Sequence, residues 1–235
     1  MILLGAKNIV EIPIDLEKKM RNKLVNKLGL LAAATLLTGC ESAAGATSYD
    51  IPLMKELGEE AYLEKVGAKK HDYEGNFTLS DDLQRTIEIM FLNVGEYDAQ
   101  SLAGKDDWKD TFVDRFLKNS WYTCEYLSGI YDGDSLMDKD QIEYFQYSIT
   151  GKYVEFAEYA DTPLDTSEAS SSYNIAETLN YDVTENGDEV KLVANIGVYE
   201  GLKEDYDSVF KVEVVLKKNP YSCFDGYSID SIDLE

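Results

Sequence analysis

The segment whose residue types and spacing best fit metal chemistry is DGDSLMDKDQIE, residues 132–143. Its acids fall at positions 1, 3, 7, 9 and 12 of a twelve-residue calcium-binding loop: Asp132, Asp134, Asp138, Asp140 and Glu143. Such a loop needs glycine at position 6, an oxygen ligand at position 5 and an apolar residue at position 8. The chain has Met137, Leu136 and Lys139 there. We therefore predict no metal site, and interpret the segment as an acidic helix N-terminus capped by Asp138.

Side chains for nucleophilic catalysis are scarce. The only histidine, His71, lies in the polar stretch AKKHDYEG, where we predict a solvated side chain. One histidine leaves little scope for a Ser-His-Asp triad or a histidine metal site. Three cysteines are too few for an all-thiolate zinc site. Two of them, Cys124 and Cys223, either form a disulfide or stay as buried free thiols. The sequence therefore predicts no catalytic residue and no cofactor.

The charge balance excludes one class of partner. The 235 residues include 22 Lys and Arg against 45 Asp and Glu, which gives a net charge of −23. Nucleic-acid binding depends mainly on basic side chains that neutralise phosphates, so we predict no nucleic-acid partner. Hydrophobic residues make up 44% of the chain, too many for a disordered acidic tail. The length is enough to bury a core in one or two domains.

Residues 20–40, MRNKLVNKLGLLAAATLLTGC, read as a targeting segment. Three basic residues precede an apolar run of ten residues, which is too short for a transmembrane helix and suits a signal peptide. The ending Leu37-Thr38-Gly39-Cys40 resembles the lipobox of bacterial lipoproteins. That resemblance implies cleavage before Cys40, a diacylglycerol on its thiol, and anchoring to the outer face of the bacterial cell membrane.

Residues 1–19 fit a signal peptide poorly, because they carry three acids and Pro13. We expect translation to start at Met20, with residues 1–19 an upstream extension that is not translated. Loss of residues 1–39 as the signal peptide would make the net charge more negative, from −23 to −26. Anionic lipid headgroups repel such a chain, so the lipid on Cys40 is the expected membrane attachment.

Residues 40–75 are predicted to be a tether with one short helix. The helix would run from Pro52 to about Val66 with Leu53, Leu57 and Ala61 on one face. Residues 76–235 are predicted to form the folded domain, and it opens with three helices. The first follows the N-cap Ser80, the second runs from Asp106 to Lys118, and the third begins near Asp138 and stops at Gly151.

After Gly151 the spacing of hydrophobic residues changes from a period of 3.6 residues to a period of 2 residues, which indicates strands. A short strand is predicted at Tyr153–Phe156, and Asn186-Gly187 is a strong hairpin signal between two longer strands. Two more strands follow, one over Phe210–Leu216 and one over Tyr227–Leu234. In the last strand the apolar residues switch from odd to even numbers, so we predict a β-bulge near Asp230.

Three helices followed by a curved antiparallel sheet indicate an α+β fold. This order over residues 78–235, with the ending FDGYSIDSIDL, resembles the cone-shaped fold of the nuclear transport factor and ketosteroid isomerase superfamily. The stretch Lys218–Ile229, KNPYSCFDGYSI, is also similar to one in uncharacterised lipoproteins of Gram-positive gut bacteria. Those relatives imply a fold and a cellular address, but no activity.

The cone resemblance implies an apolar pocket between sheet and helices, with a filled core as the alternative. Candidate lining residues are Phe91, Trp108, Phe112, Trp121 and Tyr227. The function we expect is non-catalytic binding of a small ligand or an envelope protein, with Trp121-Tyr122, if exposed, as an aromatic platform. An isomerase- or hydratase-like enzyme that uses Asp and Tyr inside the cone is the alternative. A third possibility is a structural subunit that forms a homodimer through the sheet.

Overall fold

The computed structural model describes residues 51–102, 105, 107–131, 135–167, 174–201 and 205–235. The predicted signal peptide, the lipid attachment at Cys40 and the start of the tether lie outside these residues. The described part is α+β, as predicted, with several helices and a five-stranded antiparallel sheet. Within it, the structure contains no helix with the length and apolar character needed to cross a membrane.

Seven α-helices in the described residues carry the labels used below. They are α1 Pro52–Leu57, α2 Glu59–Val66, α3 Asp81–Val94, α4 Ala99–Leu102, α5 Trp108–Phe112, α6 Glu125–Tyr131 and α7 Lys139–Thr150. A π-helical turn, Val113–Leu117, continues α5, and a 3-10 turn covers Ala157–Tyr159.

The strands form two sheets. They are β1 Tyr97–Asp98, β2 Leu136–Met137, β3 Leu164–Asp165, β4 Asn174–Asn186, β5 Glu189–Glu200, β6 Ser208–Lys218 and β7 Tyr227–Leu234. The large sheet has the order β1-β7-β6-β5-β4, so the 13-residue β4 is an edge strand. The short strands β2 and β3 pair with each other.

The predicted helix over residues 52–66 is two helices, because Gly58 interrupts it with φ of 88°. Two of the three residues predicted on the apolar face, Leu57 and Ala61, are exposed, whereas Leu53 is partly buried against a core cluster. Met54 and Tyr62 are buried instead, in a core cluster with Tyr144 and other aromatic residues.

The helices α3, α5 with its π-helical turn, and α7 lie within residues 81–150 of the described chain. Ser80 caps α3, since its Oγ accepts the backbone N–H of Leu83 at 3.2 Å. Asp138 and Gln141 form a reciprocal capping box at the start of α7, and Gly151 ends that helix with φ of 64°. The predicted acidic N-terminus capped by Asp138 is therefore confirmed.

The structure also differs from the sequence interpretation at α6 and at residues 153–156. The sequence interpretation missed α6, because Leu127 is its only buried residue and its apolar periodicity is weak. The predicted strand at Tyr153–Phe156 is wrong, since these residues form no strand. The backbone N–H of Phe156 donates instead to the side chain of Glu143 at 2.8 Å, which removes a donor that a strand would need.

The sheet confirms the predicted hairpin and bulge. β4 and β5 join through the two-residue loop Gly187-Asp188, with φ of 65° at Gly187, as in a type II′ turn. In β7 the register skips Asp230, because Ser231 pairs with Val215 and Ile229 pairs with Leu216. The skip places the apolar residues of β7 on one face. A second bulge, at Leu179, interrupts the pairing of β4 with β5.

The two faces of the sheet differ in chemistry. The inner face packs against the helices through alternating apolar residues of β5, β6 and β7, including Leu192, Val214 and Ile232. The outer face carries cross-strand ion pairs, such as Lys191 with Glu213 at 2.5 Å and Lys217 with Asp230 at 2.8 Å. The inner face therefore forms the main core, and the outer face carries the ion pairs of the sheet.

Candidate functional site

The space between helices and sheet contains a continuous group of aromatic rings. Phe112 lies at its centre, with ring-centroid distances of 5.6 to 6.0 Å to its neighbours Trp108, Phe116, Phe145 and Phe156. These five side chains are all buried. Aromatic rings at such separations fill space and stabilise one another. Two of the predicted pocket residues, Trp108 and Phe112, therefore pack directly against other rings.

The other three predicted pocket residues have different surroundings. Phe91 of α3 packs edge-to-face on Phe210 of β6, at 5.4 Å between centroids. Tyr227 is buried beneath Tyr73 and Phe77. Trp121 is 54% exposed. A single pocket lined by all five residues stays a prediction.

Trp121 is held at the surface by its backbone. Its N–H donates to Oδ1 of Asn119 at 3.0 Å, and its carbonyl accepts from Arg85 at 3.5 Å. The neighbouring Tyr122 is buried and hydrogen-bonds to the Thr86 hydroxyl at 2.5 Å. The backbone is thus anchored to α3 while the indole faces solvent, as an aromatic platform requires.

Glu88 is one of two buried carboxylates in the described residues, and it links α3 to the edge strand. Its Oε1 accepts the backbone N–H of Thr178 at 2.7 Å, and its Oε2 pairs with Arg85 at 3.1 Å. Arg85 in turn donates to the carbonyl oxygen of Ala176 at 3.3 Å. Arg85 and Glu88 therefore bind the outward backbone groups of β4 much as a neighbouring strand would.

Glu143 of α7 is the second buried carboxylate of the described part. Its Oε1 receives Lys139 at 2.7 Å and the backbone N–H of Phe156 at 2.8 Å, and its Oε2 receives the Tyr153 hydroxyl at 3.0 Å. A carboxylate with this many donors serves to hold the chain in place, because its oxygens are already occupied.

The alternative enzyme hypothesis needs an inward Asp beside a Tyr. The described residues contain no buried Asp, whereas they contain several buried tyrosines. The hydroxyl of Tyr97, for example, has no hydrogen-bond partner in the described structure. Burial raises the pKa of Tyr97 above its usual range, with a smaller contribution from Asp230. This tyrosine therefore stays protonated at neutral pH.

Cys124 and Cys223 are both free thiols in the structure, Cys124 buried and Cys223 partly buried. Burial raises the pKa of the Cys124 thiol to about 12. Burial, and then the proximity of Cys124, raises the pKa of Cys223 well above its usual value. Neither thiol is activated as a nucleophile, because the thiolate is the reactive form. The fold brings the two side chains into one neighbourhood, and a disulfide between them stays one of the two alternatives.

The stretch Lys218–Ile229 forms a hydrogen-bonded turn that the sequence interpretation used only as a resemblance. The hydroxyls of Ser222 and Ser228 both donate to the carbonyl of Ser148 in α7, at 2.8 and 2.9 Å. The buried Asn219 donates to the Ser228 hydroxyl at 2.7 Å. This turn thus attaches the end of the sheet to α7.

His71 is not the solvated linker residue that the sequence suggested. Its backbone N–H donates to the carbonyl of Pro220 at 2.7 Å, and its ring lies over Gly226. The hydroxyl of Tyr73 donates to the carbonyl of Gly226. The chain before residue 76 therefore contacts the turn over Lys218–Ile229. The domain boundary predicted at residue 76 stays a prediction.

Of the segment 132–143, the structure describes residues 135–143. Met137, at the position that needs glycine, is buried in the core. Within the described ranges, no three His, Cys, Asp or Glu residues are grouped so that they could hold a metal ion. Asp138 acts as the N-cap of α7, as described above.

Comparison of the chain with family models, with curated proteins and with solved structures finds no match in any of the three.

Proposed function

We propose that the chain is a lipid-anchored protein of the outer bacterial cell surface that binds a small ligand or an envelope partner without catalysing a reaction. The signal-peptide pattern before Cys40 supports the proposed localisation at the cell surface. The observation that carries the binding role is the contrast between two tryptophans. Trp108 is buried among other rings, whereas Trp121 is 54% exposed and its backbone is hydrogen-bonded to Asn119 and Arg85.

The fold supports a relation to the cone-shaped superfamily named above. Helices cover the inner face of an antiparallel sheet, and bulges at Leu179 and Asp230 would curve it. Under this proposal the interior is filled, and binding takes place at the surface. The isomerase- or hydratase-like alternative is less well supported, because the buried acids of the described residues, Glu88 and Glu143, are already hydrogen-bonded. Dimerisation through the sheet stays a hypothesis.

The two tryptophans allow a direct test, since the sequence contains only these two. Trp108→Phe leaves Trp121 as the fluorophore, and Trp121→Phe leaves Trp108. Titration with soluble envelope glycans and peptides is expected to change the emission of the Trp108→Phe protein and leave that of the Trp121→Phe protein unchanged. A change in the emission of Trp108 alone would instead favour an interior pocket. No change in the emission of either tryptophan would contradict the binding proposal at this surface.

A separate experiment tests the proposed lipid anchoring at Cys40. Expressed in a bacterium with an alkyne-labelled fatty acid, the full chain should incorporate the label and partition into a detergent phase. Cys40→Ala should abolish both. Cys223→Ser is the matched control, because it removes a cysteine outside the lipobox. Equal labelling of the Cys40→Ala and unsubstituted proteins would contradict lipidation at Cys40.

A further inference from the structure

The edge strand β4 has one part that the rest of the described chain leaves uncovered. At its start, Arg85 and Glu88 bind the outward backbone groups of Ala176 and Thr178. Near its end, the backbone N–H of Phe77 donates to the side chain of Glu185 at 2.9 Å. Between these two contacts lie residues 179–184, here called the open edge. No other described strand pairs with β4 on this side.

The backbone direction in the open edge follows from the hairpin. Asn186 and Glu189 close a two-residue loop, so they are a hydrogen-bonded pair, and such pairs alternate along an antiparallel ladder. Asp182 and Thr184 therefore bond to β5, whereas the N–H and C=O groups of Tyr181 and Val183 point away from it. Unpaired strand edges of this kind are templates for an added strand.

The side chains beside the open edge add an apolar surface. Tyr181 and Val183 are opposite Ala194 and Leu192 of β5, so they lie on the inner face of the sheet. Unlike those partners, both are 39% exposed, as is Leu179 at the bulge. A strand added at this edge would continue the inner face and cover these side chains.

The charge of β4 determines which kind of strand could pair with it. β4 carries Glu177, Asp182 and Glu185 and no basic residue. Pairing with β4 of a second copy would bring six carboxylates together, and like charges across a strand pair are destabilising. A partner strand with Lys or Arg on one face and apolar residues on the other would satisfy both the charge and the apolar surface.

We infer that residues 179–184 of β4 bind an extended basic segment of a partner protein by β-strand addition. The inference rests on the proposed binding function and names a site and partner class for it. About six residues of partner would span the open edge, at about 3.3 Å per residue. Its main chain would bond to Tyr181 and Val183, and its apolar side chains would cover the inner face.

The probe is a synthetic ten-residue peptide of alternating Lys and Val, capped at both ends, with a Glu–Val peptide as the charge control. Binding to the full chain is measured by fluorescence anisotropy. We expect Val183→Lys to weaken Lys–Val binding at least tenfold. Val209→Lys is the matched control, because Val209 is also exposed but lies on the outer face of β6, and it should change the affinity less than twofold.

Amide hydrogen exchange gives the second readout. Saturation with the Lys–Val peptide should slow exchange at Tyr181 and Val183, whereas Asp182 and Thr184 are already slow in the unbound protein. Equal weakening by both lysine variants without new protection would place the peptide elsewhere on the acidic surface and overturn the inference. Absence of any binding would overturn it too. The tryptophan titration is independent of β4, so a response there would leave the broader binding proposal standing.

Discussion

Glu88 accepts the backbone N–H of Thr178 at 2.7 Å, which joins a buried helix carboxylate to the edge strand. Glu88→Ala would leave that N–H and the Arg85 guanidinium without this partner. We expect a loss of about 2–3 kcal/mol in the free energy of unfolding, somewhat below the cost of breaking a fully buried ion pair because Arg85 is partly exposed. Glu88→Gln keeps an acceptor for Thr178 and should cost about 1 kcal/mol.

Urea unfolding measures both changes. Glu64→Ala, at an exposed position within α2, is the control and should stay within about 0.5 kcal/mol of the unsubstituted protein. If Glu88→Ala were no more destabilising than Glu64→Ala, the proposed role of Glu88 in holding β4 would be wrong.

The Glu88 contact also shows where sequence reasoning ends. The capping of α3 and α7, the hairpin and the Asp230 bulge were all predicted, because each depends on residues close together in sequence. The bulge was visible because apolar residues change parity within a single strand. The Glu88–Thr178 bond joins residues 90 positions apart, and nothing in the helix pattern distinguishes Glu88 from a solvent-exposed acid.

The surroundings of the candidate site residues were harder to predict, because they too depend on residues far apart in the sequence. The apolar spacing identified Trp108 and Phe112 as interior residues, but it did not distinguish the exposed Trp121 from them. His71 looked like a linker residue because its partners, Pro220 and Gly226, lie about 150 residues further along the chain. The broken helix at Gly58 was missed because glycine is tolerated within helices at a modest cost.

The contact between His71 and Gly226 predicts a local clash. A Cβ at Gly226 would lie 2.8 to 2.9 Å from His71 side-chain atoms, and φ there is 75°. Gly226→Ala should therefore cost about 1–2 kcal/mol for the backbone conformation and about 1–3 kcal/mol more for the overlap. Gly67→Ala is the control, since its φ is 69° but nothing lies within 4 Å of the added carbon.

A double-mutant cycle separates the two costs. In a His71→Gly background, which removes the clashing Cβ as well as the ring, Gly226→Ala should become no more costly than Gly67→Ala, as measured by thermal or urea unfolding. Additive effects of His71→Gly and Gly226→Ala would show that the His71 side chain does not cause the extra loss.

The two cysteines predict a specific labelling pattern. In the Cys40→Ala background only Cys124 and Cys223 remain, and burial raises the pKa of Cys124 to about 12. We expect both thiols to react slowly with a maleimide in the native protein and quickly after unfolding in urea without reductant. Mass spectrometry of the alkylated protein counts the labels. Labelling that requires a reductant would instead establish the disulfide.

Tyr97 predicts how stability changes at high pH. Among the residues that the structure describes, its buried hydroxyl has no hydrogen-bond partner, so Tyr97→Phe should be neutral or stabilising by up to about 1 kcal/mol at pH 7. Burial raises the pKa of Tyr97 in the folded state, whereas the unfolded chain ionises near pH 10. Above pH 10 the unfolded state binds fewer protons, so stability falls by about 1.4 kcal/mol per pH unit for each such tyrosine.

Tyr97→Phe removes one of these groups and should therefore make the alkaline decline less steep. Tyr122→Phe is the matched control: its pKa is also raised by burial, but its hydroxyl bonds to Thr86. The free energy of unfolding of the Tyr122→Phe protein should be about 1 kcal/mol lower at pH 7. Above pH 10 it should decline less steeply with pH, as for Tyr97→Phe. Urea unfolding between pH 7 and 11 measures both. A Tyr97→Phe protein with the unsubstituted alkaline slope would mean that Tyr97 already ionises in the folded state, because only then would its removal leave proton release on unfolding unchanged.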